Sequence, residues 1–224
     1  MNAYKVKLNS LDGRDALRYL GLKEGLADPA MASLFEKCKA RLLAVIDARY
    51  VYRVFPFAGG LLEGSAYQPR GGTIARHLAG AERVILLAAT LGSGTDLLIR
   101  RSRFLGMTET MMVDALASEA IERVLDAAEA GIFSRLGPDP HTFRYSPGYG
   151  DLPLEGQKEL LEVLDARKRI GLYVNESMLM TPSKSVTCLI GTGGNLRGEA
   201  KKTCRDCSLD GKCSFRQNGG TCYR

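Results

Sequence analysis

The sequence predicts an α+β fold, and three features of its pattern support that class. Residues 50–57 are rich in aromatic and β-branched side chains, and residues 84–90 form a continuous apolar run, so both read as strands. Residues 108–135 repeat apolar positions at spacings of three and four, as a long helix does. These patterns do not alternate strictly as strand, helix and strand. We therefore expect long helices packed on a mixed or antiparallel sheet, rather than a doubly wound parallel sheet.

Length, charge and hydropathy limit the kinds of protein that this sequence is expected to encode. The 224 residues are 45% hydrophobic, which is enough for a substantial core. No apolar run of about 18 residues occurs, and the first ten residues lack a signal-peptide pattern, so a soluble cytoplasmic protein is expected. The net charge is +6, but residues 197–224 hold seven Lys or Arg against three acidic residues. The body is nearly balanced, which argues against a nucleic-acid surface along the whole chain.

The first helices can be placed by their end signals. Asp28 followed by Pro29 is a typical helix start, and the apolar stripe after it includes Cys38. We interpret Cys38 as part of the core and not as a reactive thiol. The strand over residues 50–57 should end at Pro56 and the following glycine pair, and residues 73–78 should form a short helix.

The second half of the chain is predicted to contain further helices and then extended chain. The long helix over 108–135 carries one acidic face, which we interpret as solvated surface. A second helix is expected near residues 156–168, and extended chain over 172–190. The glycine-rich stretch 191–198 is expected to be a flexible joint. We therefore predict one domain over residues 1–196 and a short Cys-rich tail over 197–224.

A glycine turn follows the apolar strand. Gly92-Ser93-Gly94-Thr95 leads into a predicted helix over residues 97–104, an arrangement similar to turns that bind nucleotides or S-adenosylmethionine. Leu97 stands where a dinucleotide fingerprint needs its third glycine. A simple strand-to-helix turn is the preferred interpretation.

A loop of unusual composition begins after the long helix and carries the candidate ligand-binding residues. Its sequence is Arg-Tyr-Ser-Pro-Gly-Tyr, residues 144–149. Arg144 can bind a carboxylate through paired hydrogen bonds, Gly148 lets the backbone approach a ligand, and Tyr149 offers a flat face. Taken alone, these features also fit an ordinary tight turn.

The order of motifs that follows this loop is more specific. Arg-x-x-Pro-Gly-Tyr, a helix of about fifteen residues, Ile-Gly-Leu at 170–172, Asn-Glu-Ser at 175–177, Met-x-Pro at 180–182 and Ser-Val-Thr at 185–187 occur in this order. Over residues 143–190 the chain resembles the reactivation domain of cobalamin-dependent methionine synthase. The resemblance implies a reactivation-type fold for this single domain.

The resemblance also implies a function. In that family the domain binds S-adenosylmethionine, and one-electron reduction with methyl transfer restores methylcobalamin. The binding roles would fall on Arg144 for the ligand carboxylate, on the backbone of Ser146, and on Gly148 and Tyr149. No segments for homocysteine, folate or cobalamin are recognised. The expected partners are therefore a cobalamin-binding methionine synthase or other corrinoid protein, with flavodoxin or ferredoxin as electron donor.

Three further features of the sequence bear on how far the resemblance extends. The family usually has proline after the tyrosine, where this chain has Gly150 and Asp151. Glu119 and Glu122 on the long helix are candidates for the acidic ligand contacts. His77 lies in a sequence similar to the Asp-x-His-x-x-Gly motif that ligates cobalt in corrinoid proteins, but Ala75 replaces the acid. We interpret His77 as a surface or capping histidine, and we expect no cobalamin on this chain.

The tail contains four cysteines with the spacing Cys-x2-Cys-x5-Cys-x8-Cys, namely Cys204, Cys207, Cys213 and Cys222. Four thiolates suit a zinc ion or an iron–sulfur cluster. Free thiols or a disulfide pair are the alternatives. A cluster could relay an electron, zinc would be structural, and the surrounding basic residues could attract an acidic flavodoxin or ferredoxin.

Three alternatives to the reactivation hypothesis remain open from the sequence. The first is a reductive activator of corrinoid methyltransferase proteins other than methionine synthase. The second is a metal-binding module whose basic tail contacts nucleic acid, which predicts salt-sensitive binding. The third is a structural subunit with a decayed site.

Overall fold

The computed structural model describes residues 2–22, 25–196 and 211–213. The elements, in chain order, are β1 (Ala3–Lys5), α1 (Arg14–Tyr19), α2 (Pro29–Val45), β2 (Arg49–Ala58), β3 (Leu61–Leu62), α3 (Gly72–His77), β4 (Arg83–Thr90), α4 (Ser93–Ser102), α5 (Met107–Leu136), α6 (Gly156–Val163), α7 (Ala166–Ile170), β5 (Tyr173–Val174), β6 (Met180–Thr181) and β7 (Ser185–Thr192). The main sheet has the order β1-β2-β4-β7, and β3 pairs with β2. Helices packed on an antiparallel sheet confirm the predicted α+β class.

The chain divides into two compact units built from interleaved segments. The first unit comprises residues 1–51, 88–137 and 165–186, and the second comprises 52–87, 138–164 and 187–224. The predicted boundary between residues 196 and 197 falls at the edge of the described range and stays a prediction.

In the first unit, α5 is the element against which the other helices pack. Helices α1, α2 and α4 all contact α5. The buried positions of α5 recur at spacings of three and four, including Val113, Leu116 and Val124. The apolar periodicity in the sequence therefore matches the face of α5 that packs in the core. The predicted start of α2 is confirmed, because the Asp28 side chain accepts a hydrogen bond of 2.9 Å from the Ala30 amide. The Cys38 thiol is fully buried, and this burial raises its pKa.

A buried carboxylate joins α1 to α5. Glu119 of α5 is 0% exposed, and its two oxygens accept hydrogen bonds from the amides of Gly13 at 3.0 Å and Ala16 at 2.9 Å. Gly13 precedes α1 and has no side chain with which to cap it. Glu119 therefore supplies, from a distant helix, capping oxygens that the N-cap residue Gly13 cannot provide, and Asp12 accepts from the Arg14 amide at 2.9 Å beside it.

The second unit places a short helix and a loop beside the sheet. Strand β4 is buried from Val84 to Thr90, as its continuous apolar sequence predicts. Helix α3 matches the predicted short helix and has buried Ile74 and His77 side chains. After α5, the chain returns along β7 through bridges from His141 to Thr192 and from Tyr145 to Leu189.

Some predicted boundaries differ from the structure. Strand β2 continues through Pro56 to Ala58. Pro56 lies just outside the ladder with β3, which pairs only Phe57 and Ala58, so its missing amide hydrogen is tolerated there. The predicted helix over 156–168 is two helices, separated at Asp165, whose φ of 50° lies in the left-handed region. The predicted joint begins later, since β7 extends to Thr192, and its part from residue 197 lies outside the described residues.

Within the described part of the chain, none of the helices combines the length and apolar character needed to cross a bilayer.

Replacing Glu119 with Gln should destabilise the protein by about 2 kcal/mol, because one capping oxygen becomes an amide that cannot accept. Urea unfolding followed by circular dichroism measures this change. Asp126→Asn is the matched control, since Asp126 is exposed on the same helix and pairs with Arg123 at the surface. Equal midpoints for the two variants would contradict the capping role of Glu119.

Candidate functional site

The Arg-Tyr-Ser-Pro-Gly-Tyr loop begins in a segment that is hydrogen-bonded to β7. The Tyr145 amide donates to the Leu189 carbonyl at 2.9 Å, and the Leu189 amide donates back at 2.8 Å. Three residues earlier, the Thr142 amide donates to the Gly191 carbonyl at 2.9 Å, and the Gly191 amide donates to the Thr142 hydroxyl at 3.0 Å. The loop therefore starts from a position set by the sheet.

Tyr145 lies at the centre of an aromatic cluster. Its ring centroid is 4.9 Å from His77, 5.1 Å from Tyr149 and 6.0 Å from Phe143. The contact with Tyr149 is edge to face, a favourable arrangement for two aromatic rings. Because Tyr145 is buried and Tyr149 is half-buried, the contact with Tyr145 anchors the ring of Tyr149, the candidate ligand-binding tyrosine.

Asp151 attaches the far side of the loop to α3. Its carboxylate accepts hydrogen bonds from the Gly72 amide at 2.7 Å, from the Thr73 amide at 3.0 Å and from the Thr73 hydroxyl. The Thr73 oxygen in turn accepts from the Tyr145 hydroxyl at 2.8 Å and from the Asp151 amide at 3.2 Å. Asp151, Thr73 and Tyr145, together with the Gly72 amide, form what we call the loop clasp.

The hydrogen bonds of the loop clasp set the charge of Asp151. The Thr73 hydroxyl, followed by the backbone amides of Thr73 and Gly72, holds the pKa of the Asp151 carboxyl below its usual range. A carboxyl with a lowered pKa contributes its full stabilisation above the ordinary carboxyl pKa and loses it only as the pH falls through the lowered value. The loop clasp is therefore complete at neutral pH.

Two glycines shape the loop. A Cβ at Gly150 would overlap the Tyr145 hydroxyl oxygen and lie 2.6 Å from the Thr73 hydroxyl oxygen, so a side chain there would break the loop clasp. Gly148 has a φ of 86° and is exposed. Its amide donates to the Leu152 carbonyl at 2.9 Å, which closes the turn. The backbone at Gly148 is thus ordered yet open to approach from solvent.

The four predicted site residues lie along this one ordered loop. Arg144 is half-buried beside Tyr145, and Ser146 is half-buried with its carbonyl accepting from the Tyr149 amide at 3.1 Å.

The sequence did not predict the loop clasp. Asp151 follows Gly150 in the sequence, but its partners Gly72 and Thr73 are more than seventy residues away and belong to no recognisable motif.

The structure corrects two interpretations of acidic and histidine side chains. Glu119 is wrong as a ligand contact, because both of its oxygens are used by backbone amides in a fully buried position. Glu122 is half-buried on the same helix and stays a candidate. His77 is not a surface histidine: it is 6% exposed, and its Nε2 atom lies 2.9 Å from the Phe143 carbonyl oxygen. It packs under the loop through Phe143 and Tyr145.

The glycine turn before α4 has a packing explanation. A Cβ at Gly92 would lie 3.1 Å from the Asp47 carbonyl oxygen, and one at Gly94 would lie 2.6 Å from the Val45 carbonyl oxygen. Glycine is needed here for the close approach of the chain after α2. This supports the interpretation as a strand-to-helix turn.

The metal prediction falls mostly outside the described residues. Cys204, Cys207 and Cys222 are not among them, and Cys213 is half-buried and forms no disulfide. Across residues 2–22, 25–196 and 211–213, no cluster of three or more histidine, cysteine or acidic residues could hold a metal ion.

A cavity of about 280 Å³ lies beside α3 and was not predicted. Apolar and small residues line it, among them Phe57, Pro69, Ile74, Leu78 and Gly80. Among the described residues, the lining contains no charged side chain. Arg144 is the candidate cation of the loop for a ligand carboxylate.

Comparison with known proteins gives a match among solved structures. No protein-family model matches the sequence, and no curated protein matches it. Among solved structures, the chain is similar to the MetH reactivation domain in its crystal structure bound to AdoHcy. The TM-score is 0.64 at 16% sequence identity, and the alignment covers 99% of this chain and 87% of that one. The chain thus has the fold of a methionine synthase reactivation domain.

Proposed function

We propose that this chain binds S-adenosylmethionine and supports the reductive methylation of cobalamin held by a separate methionine synthase. The observation that carries the proposal is the ordered Arg144–Tyr149 loop, which has the family's motif and occurs in a chain with the reactivation-domain fold. The protein of the similar structure was crystallised with AdoHcy, which differs from S-adenosylmethionine by the transferred methyl group.

The loop offers the groups that an amino-acid sulfonium ligand needs. The Arg144 guanidinium binds the ligand carboxylate by two parallel hydrogen bonds. The exposed backbone at Gly148 admits the ligand closely, and the aromatic ring of Tyr149 offers it a flat surface. The loop clasp holds these groups in place before the ligand arrives, which reduces the ordering cost of binding.

Proximity and orientation account for the proposed catalysis. Cobalamin on the partner supplies the cobalt that accepts the methyl group once an electron donor, flavodoxin or ferredoxin, has reduced it. The role of this chain is to present the sulfonium methyl in the correct place, and no acid or base side chain is required. A corrinoid protein other than methionine synthase is the alternative partner for the same chemistry.

Replacing Arg144 with Ala should weaken S-adenosylmethionine binding by about tenfold or more, because a hydrogen bond between charged groups is lost. Isothermal titration calorimetry measures the change. Arg144→Lys keeps the charge but loses the paired geometry, so its affinity should lie between those of the native protein and the Ala variant.

Lys158→Ala is the matched control for Arg144, since Lys158 is an exposed cation of the same compact unit. Thermal melting of each variant separates loss of the ligand contact from loss of the fold. An affinity unchanged in Arg144→Ala, or no binding heat from the native protein at millimolar ligand, would refute the ligand assignment.

Replacing Asp151 with Asn should weaken S-adenosylmethionine binding by roughly threefold to tenfold through the loop alone. The amide keeps one acceptor, while its NH2 group faces an amide hydrogen that the carboxylate accepted. Calorimetry gives the affinity. Because Asp151 is exposed, the melting temperature should change little, and Asp126→Asn should alter neither quantity. Unchanged binding by Asp151→Asn would mean that the loop clasp does not position the ligand.

The proposal for the tail is a zinc ion or an iron–sulfur cluster bound by Cys204, Cys207, Cys213 and Cys222. Protein purified without oxygen should contain about one zinc ion or one cluster per chain, measured by elemental analysis and absorption spectra. A Cys204→Ser, Cys207→Ser double variant should lose the metal, whereas Cys188→Ala, at a buried position in β7, should retain the metal. Metal-free native protein would refute this site.

A further inference from the structure

Helix α3 contacts the chain on both sides of the loop that carries the candidate ligand-binding residues. Its first residues donate to Asp151, which follows the loop, as part of the loop clasp. Its last residue is His77, whose Nε2 atom lies 2.9 Å from the carbonyl oxygen of Phe143, the residue that precedes the loop. The loop clasp therefore holds the end of the loop, and His77 holds its beginning.

The contact at the beginning of the loop is a hydrogen bond donated by His77. A carbonyl oxygen can only accept, so the Nε2 atom carries the hydrogen. His77 is 6% exposed, and such surroundings strengthen a hydrogen bond. The Thr142 hydroxyl also donates to the Phe143 carbonyl, at the longer distance of 3.3 Å, and it accepts from the Gly191 amide of β7. The Phe143 carbonyl is thus held both by α3 and by its own segment.

The Phe143 carbonyl belongs to the peptide group whose nitrogen is that of Arg144. Because a peptide group is planar, fixing the direction of this carbonyl also fixes the Arg144 amide and the place of the Arg144 Cα atom. The His77 ring centroid lies 4.4 Å from that of Phe143 and 4.9 Å from that of Tyr145. Both residues that flank Arg144 in the chain are therefore in contact with His77.

We propose that His77 is a positioning residue for Arg144, the residue assigned to the ligand carboxylate. The inference rests on the proposed function for the identity of the ligand. Paired hydrogen bonds between a guanidinium and a carboxylate require a defined approach, so the arginine backbone must start from a fixed place. Packing alone does not call for a histidine here, because a buried polar ring is stable only when it is hydrogen-bonded. His77 acts through the Phe143 carbonyl and does not touch the ligand.

Two substitutions separate the hydrogen bond from the packing of the ring. His77→Gln keeps a donor close to the position of Nε2 and removes the ring, whereas His77→Phe keeps a ring and removes the donor. Calorimetric titration with S-adenosylmethionine should give a near-native affinity for His77→Gln. The affinity of His77→Phe should be weaker by about threefold to tenfold, because one hydrogen bond is lost. Weaker binding by His77→Gln than by His77→Phe would assign the role to the ring and overturn the inference.

His141→Phe is the matched control. His141 is half-buried in the same compact unit, and its Nδ1 atom lies 3.2 Å from the Asp139 carbonyl oxygen, away from the peptide group of Arg144. This variant should therefore bind S-adenosylmethionine as the native protein does. Thermal melting of each variant shows that it is folded.

A double-mutant cycle tests whether His77 acts through Arg144. His77→Phe should weaken S-adenosylmethionine binding in the native background, and by less than about twofold in the Arg144→Ala background, because the residue that it positions is then absent. Methylthioadenosine has the nucleoside and the thioether of the ligand but no carboxylate, so His77→Phe should leave its binding unchanged. Equal losses in both backgrounds, or weaker binding of methylthioadenosine, would mean that His77 supports the fold and not Arg144.

Hydrogen exchange in the ligand-free protein separates this inference from the proposed function. The amides of Tyr145 and Tyr149 are hydrogen-bonded, and their exchange should be several-fold faster in His77→Phe than in the native protein or His77→Gln. Unchanged exchange in His77→Phe, or its unchanged affinity when the native protein does bind the ligand, would overturn the positioning role alone. Native protein that binds no S-adenosylmethionine would overturn the proposed function, while faster exchange in His77→Phe would still support the positioning of the loop by His77.

Discussion

The candidate site depends on one carboxylate. Asp151 accepts hydrogen bonds from three donor groups at the start of α3, and these bonds give the glycine-rich segment a defined shape. A free loop with the same sequence would have to order Arg144 and Tyr149 each time a ligand bound, at the expense of affinity. With the carboxylate in place, the ordering cost is met when the protein folds. The electrostatic cause is local, since the amides at a helix start favour negative charge.

The first unit uses the same physical device for a different purpose. Glu119 meets the amides at the start of α1 as Asp151 meets those at the start of α3, and both helices follow a glycine that cannot cap them. Glu119 is fully buried, whereas Asp151 is exposed. Burial makes Glu119 a structural residue whose loss affects the whole fold. Exposure lets Asp151 control a loop without determining global stability.

Periodicity and end signals predicted most of the elements. The apolar stripe of α5 and the Asp28-Pro29 start of α2 are local features, so the sequence alone sufficed for them. The roles of Glu119, His77 and Asp151 could not be predicted, because each depends on a partner far away in the chain. The loop motif could be predicted from residue types and their order, but the loop clasp that holds it depends on contacts between distant parts of the chain.

Gly80 determines how closely two backbone segments can pack after α3. A Cβ at Gly80 would overlap the Asn195 carbonyl, so only glycine lets these two segments meet. Gly80 follows α3 by three residues, and the loop clasp holds the other end of the same helix. Helix α3 therefore lies between two backbone contacts, one with Asp151 before it and one with Asn195 after it. A side chain at position 80 would separate the segment at Asn195 from the end of α3.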